Sequence, residues 1–223
     1  EDNMLARTIR EKEEERRAVY IAESDFESFP DIDALATHFN SRLYYRHQGR
    51  EIRHEMGQCF IREAEDNLAS IIKELLRLSR HGVAGYQTST TAKLNSMVPV
   101  IDDPDKQAIV ESLFEHSSVA LLYGSAGTGK TTLINIVCDV LLSSGKIAIA
   151  NTNPAVDNLR RRVSASNCEF MTIAKYLHRS REQATDLLIV DECSTVSNAD
   201  MKSILDRGGF KLLLLVGDTY QIE

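Results

Sequence analysis

The second half of the chain alternates between short apolar runs and amphipathic stretches. The apolar runs predict four strands, at Val119–Tyr123, Ile147–Ala150, Leu187–Val190 and Lys211–Val216, and a short segment at Phe170–Met171 leads into a further helix. The amphipathic stretches between them have the spacing of helices. Strands that are apolar throughout are buried on both faces, because helices cover a parallel sheet from either side. The pattern therefore predicts an α/β fold with a parallel sheet and helices on both faces.

The first eighty residues show helical spacing instead. Charged helix formers fill the stretch from Asn3 to Glu23, and Pro30 with Asp31 opens a second apolar-periodic segment. A third segment, residues 51–80, repeats apolar positions along one stripe before Gly82, which we expect to act as a C-cap. These patterns predict an all-α N-terminal region at 1–82, a linker at 83–103 and the α/β domain at 104–223. The N-terminal helices fit an antiparallel bundle, and a coiled-coil arm for a protein partner is the alternative.

Composition narrows the class of protein without identifying a function. Hydrophobic residues make up 43% and charged residues 26% of the 223 residues, as in an ordinary globular chain. No apolar run is long enough to span a membrane, no leader precedes the first residues, and the four cysteines and six histidines form no ligand pattern. We therefore expect a cytoplasmic protein. The net charge of −7 argues against a surface that coats a phosphate backbone, although Arg160–Arg162 form a local basic cluster.

A glycine-rich segment follows the first predicted strand and opens a helix. Gly124-Ser-Ala-Gly-Thr-Gly-Lys-Thr131 matches the complete phosphate-loop pattern in the strand–turn–helix context that the pattern requires. Backbone N–H groups of such a loop face the phosphates, Lys130 reaches the β- and γ-phosphates, and the Thr131 hydroxyl ligates Mg²⁺. The predicted nucleotide contacts are Gly124, Ser125, Ala126, Gly127, Thr128, Gly129, Lys130, Thr131 and Thr132. The ligands implied are ATP and Mg²⁺.

Two acidic residues follow the apolar run that ends at Val190. Asp191 is placed to join the magnesium ligands, and Glu192 to polarise the water that attacks the γ-phosphate. Gln107, on the helix before the phosphate loop, has an amide that can donate to and accept from an adenine edge. A solvated helix glutamine is the alternative for Gln107.

Five blocks in order resemble the first RecA-like domain of superfamily 1 helicases, with the RecD-like and Upf-type branch most similar. The blocks are the helix of Gln107, Gly124–Thr132, Asn151–Leu159, Asp191–Ser194 and Gly217–Gln221, with a weaker one at Met171–Leu177. The resemblance implies that Thr152, Asn153 and Thr172 contact the backbone of single-stranded nucleic acid, although a turn and helix cap would use the same residue types. It also implies that Gln221 senses the γ-phosphate. The Cys193-Ser194 pair departs from the small residue before Ser that relatives often have.

The resemblance leads to the expectation of an ATP-driven helicase or translocase on single-stranded DNA, with RNA as the other possible polymer. We expect a truncated ATP-binding half, since no second RecA-like domain follows in the sequence, and weak hydrolysis by this part alone. One alternative is an ATP-dependent switch or scaffold that controls a partner protein. Another is a phosphate-loop ATPase of the oligomeric ring type.

Overall fold

A computed structural model describes residues 1–96, 104–125, 127–180 and 184–218. The chain divides into two compact units, of which the first spans Glu1–Ile71 and the second begins at Ile72. No helix among these residues is long and apolar enough to cross a membrane.

The first unit combines helices with a small antiparallel sheet. Its elements in chain order are α1 (Asp2–Arg16), β1 (Ile21–Ala22), α2 (Ile32–Ser41), β2 (Ile52–Glu55), β3 (Gln58–Ile61) and the start of α3 (Arg62–Leu78), with 3₁₀ turns at Glu23–Phe26 and Tyr45–Arg50. The strands lie in the order β1-β3-β2. Leu5, Ile9, Phe26 and Ile52 are among the residues that form its apolar core.

The predicted helix from Glu51 was wrong over its first eleven residues, 51–61, so the region is not all-helical. The β2–β3 hairpin occupies Ile52–Ile61, and its turn places Met56 and Gly57 at φ values of 52° and 72°. Alternate residues Ile52, Cys59 and Ile61 enter the core, while β3 also pairs with β1. Strand pairing across the chain thus outweighs the helical spacing of the apolar residues. α2 begins as predicted, because the Asp31 carboxylate accepts a hydrogen bond from the Ala34 N–H at 2.9 Å.

The second unit contains the predicted α/β fold. After the end of α3 come α4 (Tyr86–Leu94), α5 (Pro104–Ser112), β4 (Val119–Tyr123), α6 (Lys130–Val140), β5 (Lys146–Ala150), α7 (Asn153–Arg162), β6 (Cys168–Thr172), α8 (Ile173–His178), β7 (Thr185–Val190), α9 (Asn198–Arg207) and β8 (Phe210–Gly217). The five strands are parallel and lie in the order β4-β8-β7-β5-β6.

Helices cover both faces of this sheet, which confirms the predicted fold class. Leu187 and Ile189 of β7 pack into a core shared with α4, α5, α6 and α7. Leu188 and Val190 are also fully buried, and since side chains alternate along a strand they face the opposite side. α8 and α9 contact each other, and α8 also contacts β5 and β6.

Two local expectations for the segment around Gly82 need correction. Residues 83–103 are not all linker, since Tyr86–Leu94 form α4 and both Tyr86 and Leu94 are buried. Gly82 is also not a left-handed cap. A Cβ on Gly82 would lie 2.0 Å from the Glu115 carbonyl oxygen, so the glycine is required by close backbone approach.

Candidate functional site

The phosphate loop connects β4 to α6 at the carboxyl edge of the sheet. Gly127 and Gly129 have φ values of 84° and 90°, a region that residues with a Cβ rarely occupy. The Thr128 hydroxyl donates to the Ser125 carbonyl at 2.8 Å, and a Cβ on Gly124 would lie 2.8 Å from that hydroxyl. The loop leads directly into α6 at Lys130, where the helix dipole favours an anion. Ala126 lies outside the described residues.

The Lys130 ammonium group is held by atoms of the loop itself. It donates to the Gly124 carbonyl, and to the Ser125 carbonyl at 3.0 Å. The Asp218 carboxylate, just beyond β8, lies 3.8 Å from the same nitrogen. These contacts fix the cation beside the loop, where a phosphate group would be bound.

Asp191 and Glu192 follow β7 at the same edge of the sheet. The Asp191 N–H donates to the Ile149 carbonyl of β5 at 2.9 Å, and burial raises the pKa of its carboxyl group. Glu192 has a φ of 50°, an uncommon value for a residue with a side chain, and its carbonyl accepts bonds from the Thr195 N–H and hydroxyl, both at 2.8 Å. Asp191 is therefore partly buried, whereas Glu192 is exposed. A partly buried carboxylate suits a metal ligand, and an exposed one can reach a water molecule.

These groups line one cleft of about 560 Å³. Its walls are formed by Ser125, Gly127, Gly129, Lys130, Thr131, Ile134, Ala155, Asn158, Leu159, Arg162, Asp191, Glu192, Val216, Gly217 and Asp218. The Thr131 hydroxyl and the Asp191 carboxylate are hard oxygen donors, and both residues line the cleft, so the residues present fit Mg²⁺.

Arg162 is a cleft residue that the sequence analysis did not assign to the nucleotide. Ala155, Asn158, Leu159 and Arg162 recur at helical spacing on α7, and all four line the cleft. The positive charges of Arg162 and Lys130 both act on Asp191 and favour its ionised form. Arg162 was predicted only as part of a basic cluster, although its position seven residues after Ala155 was a signal for this shared face.

A close contact joins three loops of the site. The Tyr123 hydroxyl lies 3.4 Å from the Cys193 sulfur, and burial raises the pKa of Tyr123 to about 12. A Cβ on Gly217 would lie 2.7 Å from Cε1 of Tyr123 and 3.1 Å from the Cys193 sulfur. Since β8 lies between β4 and β7, this contact joins the strand ends that precede the phosphate loop, Asp218 and Glu192.

The predicted strand-binding residues lie at the ends of β5 and β6. The Thr152 hydroxyl accepts from the Ala155 N–H, and the Thr172 hydroxyl from the Lys175 N–H, each at 3.3 Å. Both therefore act as helix caps, with Asn153 exposed as the first residue of α7. Their roles toward nucleic acid stay predictions.

Asn151 connects this edge of the sheet to the loop of Glu192. Its side-chain amide donates to the Thr195 carbonyl at 2.8 Å, and Thr195 in turn bonds to the Glu192 carbonyl. The two predicted sites, for hydrolysis and for strand binding, are therefore joined by a short chain of hydrogen bonds.

Two candidate residues remain, Gln107 and Gln221. The Gln107 amide donates to the Glu111 carboxylate at 3.0 Å, and Gln107 is not among the described residues that line the cleft. Its neighbour Lys106 packs near Gly129, which places α5 beside the phosphate loop. Gln221 lies outside the described residues. Neither role is decided by the structure.

Comparison with known protein families agrees with this geometry. A family model described as an AAA domain matches residues 103–223, which is more than half of the chain. The chain has no significant match among curated proteins. The fold, the phosphate loop with its facing carboxylates and this match lead to one conclusion: the chain belongs to the AAA domain family of nucleotide-binding phosphate-loop proteins.

Proposed function

We propose that this chain is the ATP-binding part of a superfamily 1 helicase or translocase, similar to the RecD-like and Upf-type branch. Its polymer is single-stranded nucleic acid, with DNA preferred. Lys130 and the loop N–H groups bind the phosphates, Thr131 and Asp191 hold Mg²⁺, and Glu192 orients the attacking water. Bound Mg²⁺ supplies charge neutralisation at the β- and γ-phosphates.

The observation that carries this proposal is the chain of hydrogen bonds from Asn151 through Thr195 to Glu192. A motor must link occupation of its strand site to the position of its hydrolytic group. Asn151 precedes Thr152 and Asn153 directly, so displacement of this loop by a phosphate backbone alters a bond to the Glu192 loop. A switch protein without a polymer has no use for this connection.

The decisive experiment measures ATP hydrolysis by the full-length protein with and without single-stranded DNA, and with RNA in parallel. We expect DNA to stimulate turnover by about tenfold or more, which corresponds to about 1.4 kcal/mol of barrier. Absence of stimulation by either polymer contradicts the motor and favours the switch or scaffold that controls a protein partner.

Two variants separate binding, hydrolysis and coupling. Asn151→Ala should keep the basal rate but lose most of the stimulation by DNA, because the amide link to Thr195 is removed. Glu192→Gln should bind ATP and fail to hydrolyse it. Normal stimulation in Asn151→Ala contradicts the coupling route, while normal turnover in Glu192→Gln contradicts the assignment of the base.

A further inference from the structure

The 3₁₀ turn between α2 and β2 carries an unusual surface, which we define as the 42–50 surface. This segment contains three arginines, two tyrosines and one histidine, and no acidic residue, in a chain with a net charge of −7. The turn at Tyr45–Arg50 has no buried residue. Its side chains therefore do not serve the core of the first unit.

Two aromatic rings in this surface are exposed side by side. Tyr44 and Tyr45 are 56% and 61% exposed, and their ring centroids lie 4.4 Å apart at an interplanar angle of 53°. The His47 ring lies 6.3 Å from that of Tyr44. Both rings are therefore open to a ligand.

One guanidinium group lies against these rings, and two further arginines belong to the same surface. The Arg46 guanidinium lies 5.6 Å from the Tyr45 ring centroid and donates to the Tyr45 hydroxyl at 3.0 Å. Arg46 and Arg50 form no ion pair with any residue that the structure describes, and Arg42 pairs with Asp2 at 3.3 Å. The following acidic residue, Glu51, is already paired with Arg53 and Arg62.

We propose that the 42–50 surface is a binding site for single-stranded nucleic acid, separate from the strand-binding residues of the α/β domain. Bases stack on Tyr44 and Tyr45, and Arg46 and Arg50 neutralise flanking phosphates. Exposed aromatic rings followed by two arginines without an acidic partner among the described residues match this polymer, since every base has a π-face and every linkage a negative charge. Leu43, the one aliphatic residue of the segment, is half-buried, so the exposed side chains are the aromatic and charged ones that bases and phosphates contact.

The test uses fluorescence anisotropy with a labelled twenty-nucleotide oligo(dT), and oligo(U) in parallel, on the full chain without nucleotide. Tyr44→Ala/Tyr45→Ala should weaken binding by at least about tenfold, because loss of base stacking is substantial at each ring. Arg46→Gln/Arg50→Gln should reduce the slope of log K against log salt by about 1 to 2. Both variants should retain basal ATP hydrolysis.

The matched control is Arg7→Gln/Arg10→Gln, which removes two exposed arginines of the same unit from α1. This control should bind the oligonucleotides like the parent protein. Equal losses in the control and in Arg46→Gln/Arg50→Gln would overturn the proposal, because they would reflect net charge alone.

Photocrosslinking locates the contact. An oligonucleotide that carries 5-iodouracil should crosslink to Tyr44 or Tyr45, as mapped by mass spectrometry of the digested protein. Crosslinks at these tyrosines without stimulation of ATP hydrolysis would support nucleic-acid binding by the 42–50 surface and contradict the proposed motor function. The opposite result is stimulated ATP hydrolysis, crosslinks confined to the α/β domain, and full affinity in Tyr44→Ala/Tyr45→Ala. It would contradict nucleic-acid binding by the 42–50 surface and support the motor function.

Discussion

Substitution of Gly217 by alanine tests whether the contact among three loops sets the geometry of the nucleotide site. The added Cβ would lie 2.7 and 3.0 Å from Cε1 and Cζ of Tyr123, and 3.1 Å from the Cys193 sulfur. Real Cβ atoms do not approach other atoms so closely, so the Tyr123 ring has to move. Gly217 has no positive φ, and its backbone accommodates alanine without strain.

The expected change in the free energy of unfolding of Gly217→Ala follows from two opposing effects. Overpacking of this kind destabilises a fold by about 1–3 kcal/mol. Replacement of glycine by alanine also restricts the unfolded chain, which stabilises the folded state by about 0.4–1 kcal/mol. Tyr123 is 41% exposed and can yield in part, so we expect a net loss of about 1–2 kcal/mol in the free energy of unfolding. Urea denaturation followed by circular dichroism measures this loss, and a fluorescent ATP analogue measures the expected drop in nucleotide affinity.

The Tyr123→Ala background provides the control. Without the ring, the Gly217→Ala step loses its main clash and should be close to neutral in stability. A double-mutant cycle should therefore give a coupling energy of at least about 1 kcal/mol between the two positions. If Gly217→Ala costs the same in both backgrounds, the contact with Tyr123 does not determine the spacing of the loops.

Three further substitutions have defined outcomes. Arg162→Gln should weaken binding of a fluorescent ATP analogue by about tenfold or more, since a charged hydrogen bond contributes about 1.5–3 kcal/mol, and titration measures this. Gly82→Ala should lower the free energy of unfolding by more than about 3 kcal/mol in urea, because its Cβ meets the Glu115 backbone at 2.0 Å. His54 lies 2.9 Å from the Asp33 carboxylate, which raises the pKa of the imidazole above its ordinary 6.5. The stabilisation from this pair, about 1 kcal/mol, is complete below about pH 6.5. It is lost as the pH rises through the folded-state pKa. His54→Gln should remove that pH dependence in thermal melts.

Matched variants make each of these results interpretable. Arg160→Gln removes an exposed arginine of the same helix that pairs with Asp157, and it should leave nucleotide affinity unchanged. A Cβ on Gly145 meets only ordinary contacts at 3.9 Å, so Gly145→Ala should change stability by less than about 1 kcal/mol. An equal effect of either control would contradict the corresponding argument, as would an unchanged pH profile in His54→Gln.

The features predictable from the sequence are those encoded by neighbouring residues. The phosphate loop, the acidic pair after β7 and the cap at Asp31 each depend on one short segment, and the structure places all three as expected. The hairpin at Ile52–Ile61 was missed because Ile52, Met56 and Phe60 also have helical spacing. Only its pairing with β1 decides between the two conformations.

The positions of Arg162 and Gly217 needed tertiary information. Arg162 lines the cleft because α7 packs beside the phosphate loop, and Gly217 is crowded because β8 lies between β4 and β7. Neither relation is local, so periodicity and motif spacing indicate a helix and a strand without indicating their neighbours.

The strand order also governs when the domain can assemble during synthesis. Among the described strands, β4 pairs with β8 alone, and about 90 residues separate Tyr123 from Phe210. Until β8 has emerged from the ribosome, the strand that carries the phosphate loop has no partner in the sheet. The capacity to bind nucleotide is therefore acquired late, in one step with closure of the sheet. A nascent chain interrupted before Phe210 should expose the apolar edges of β4 and β7 to chaperones.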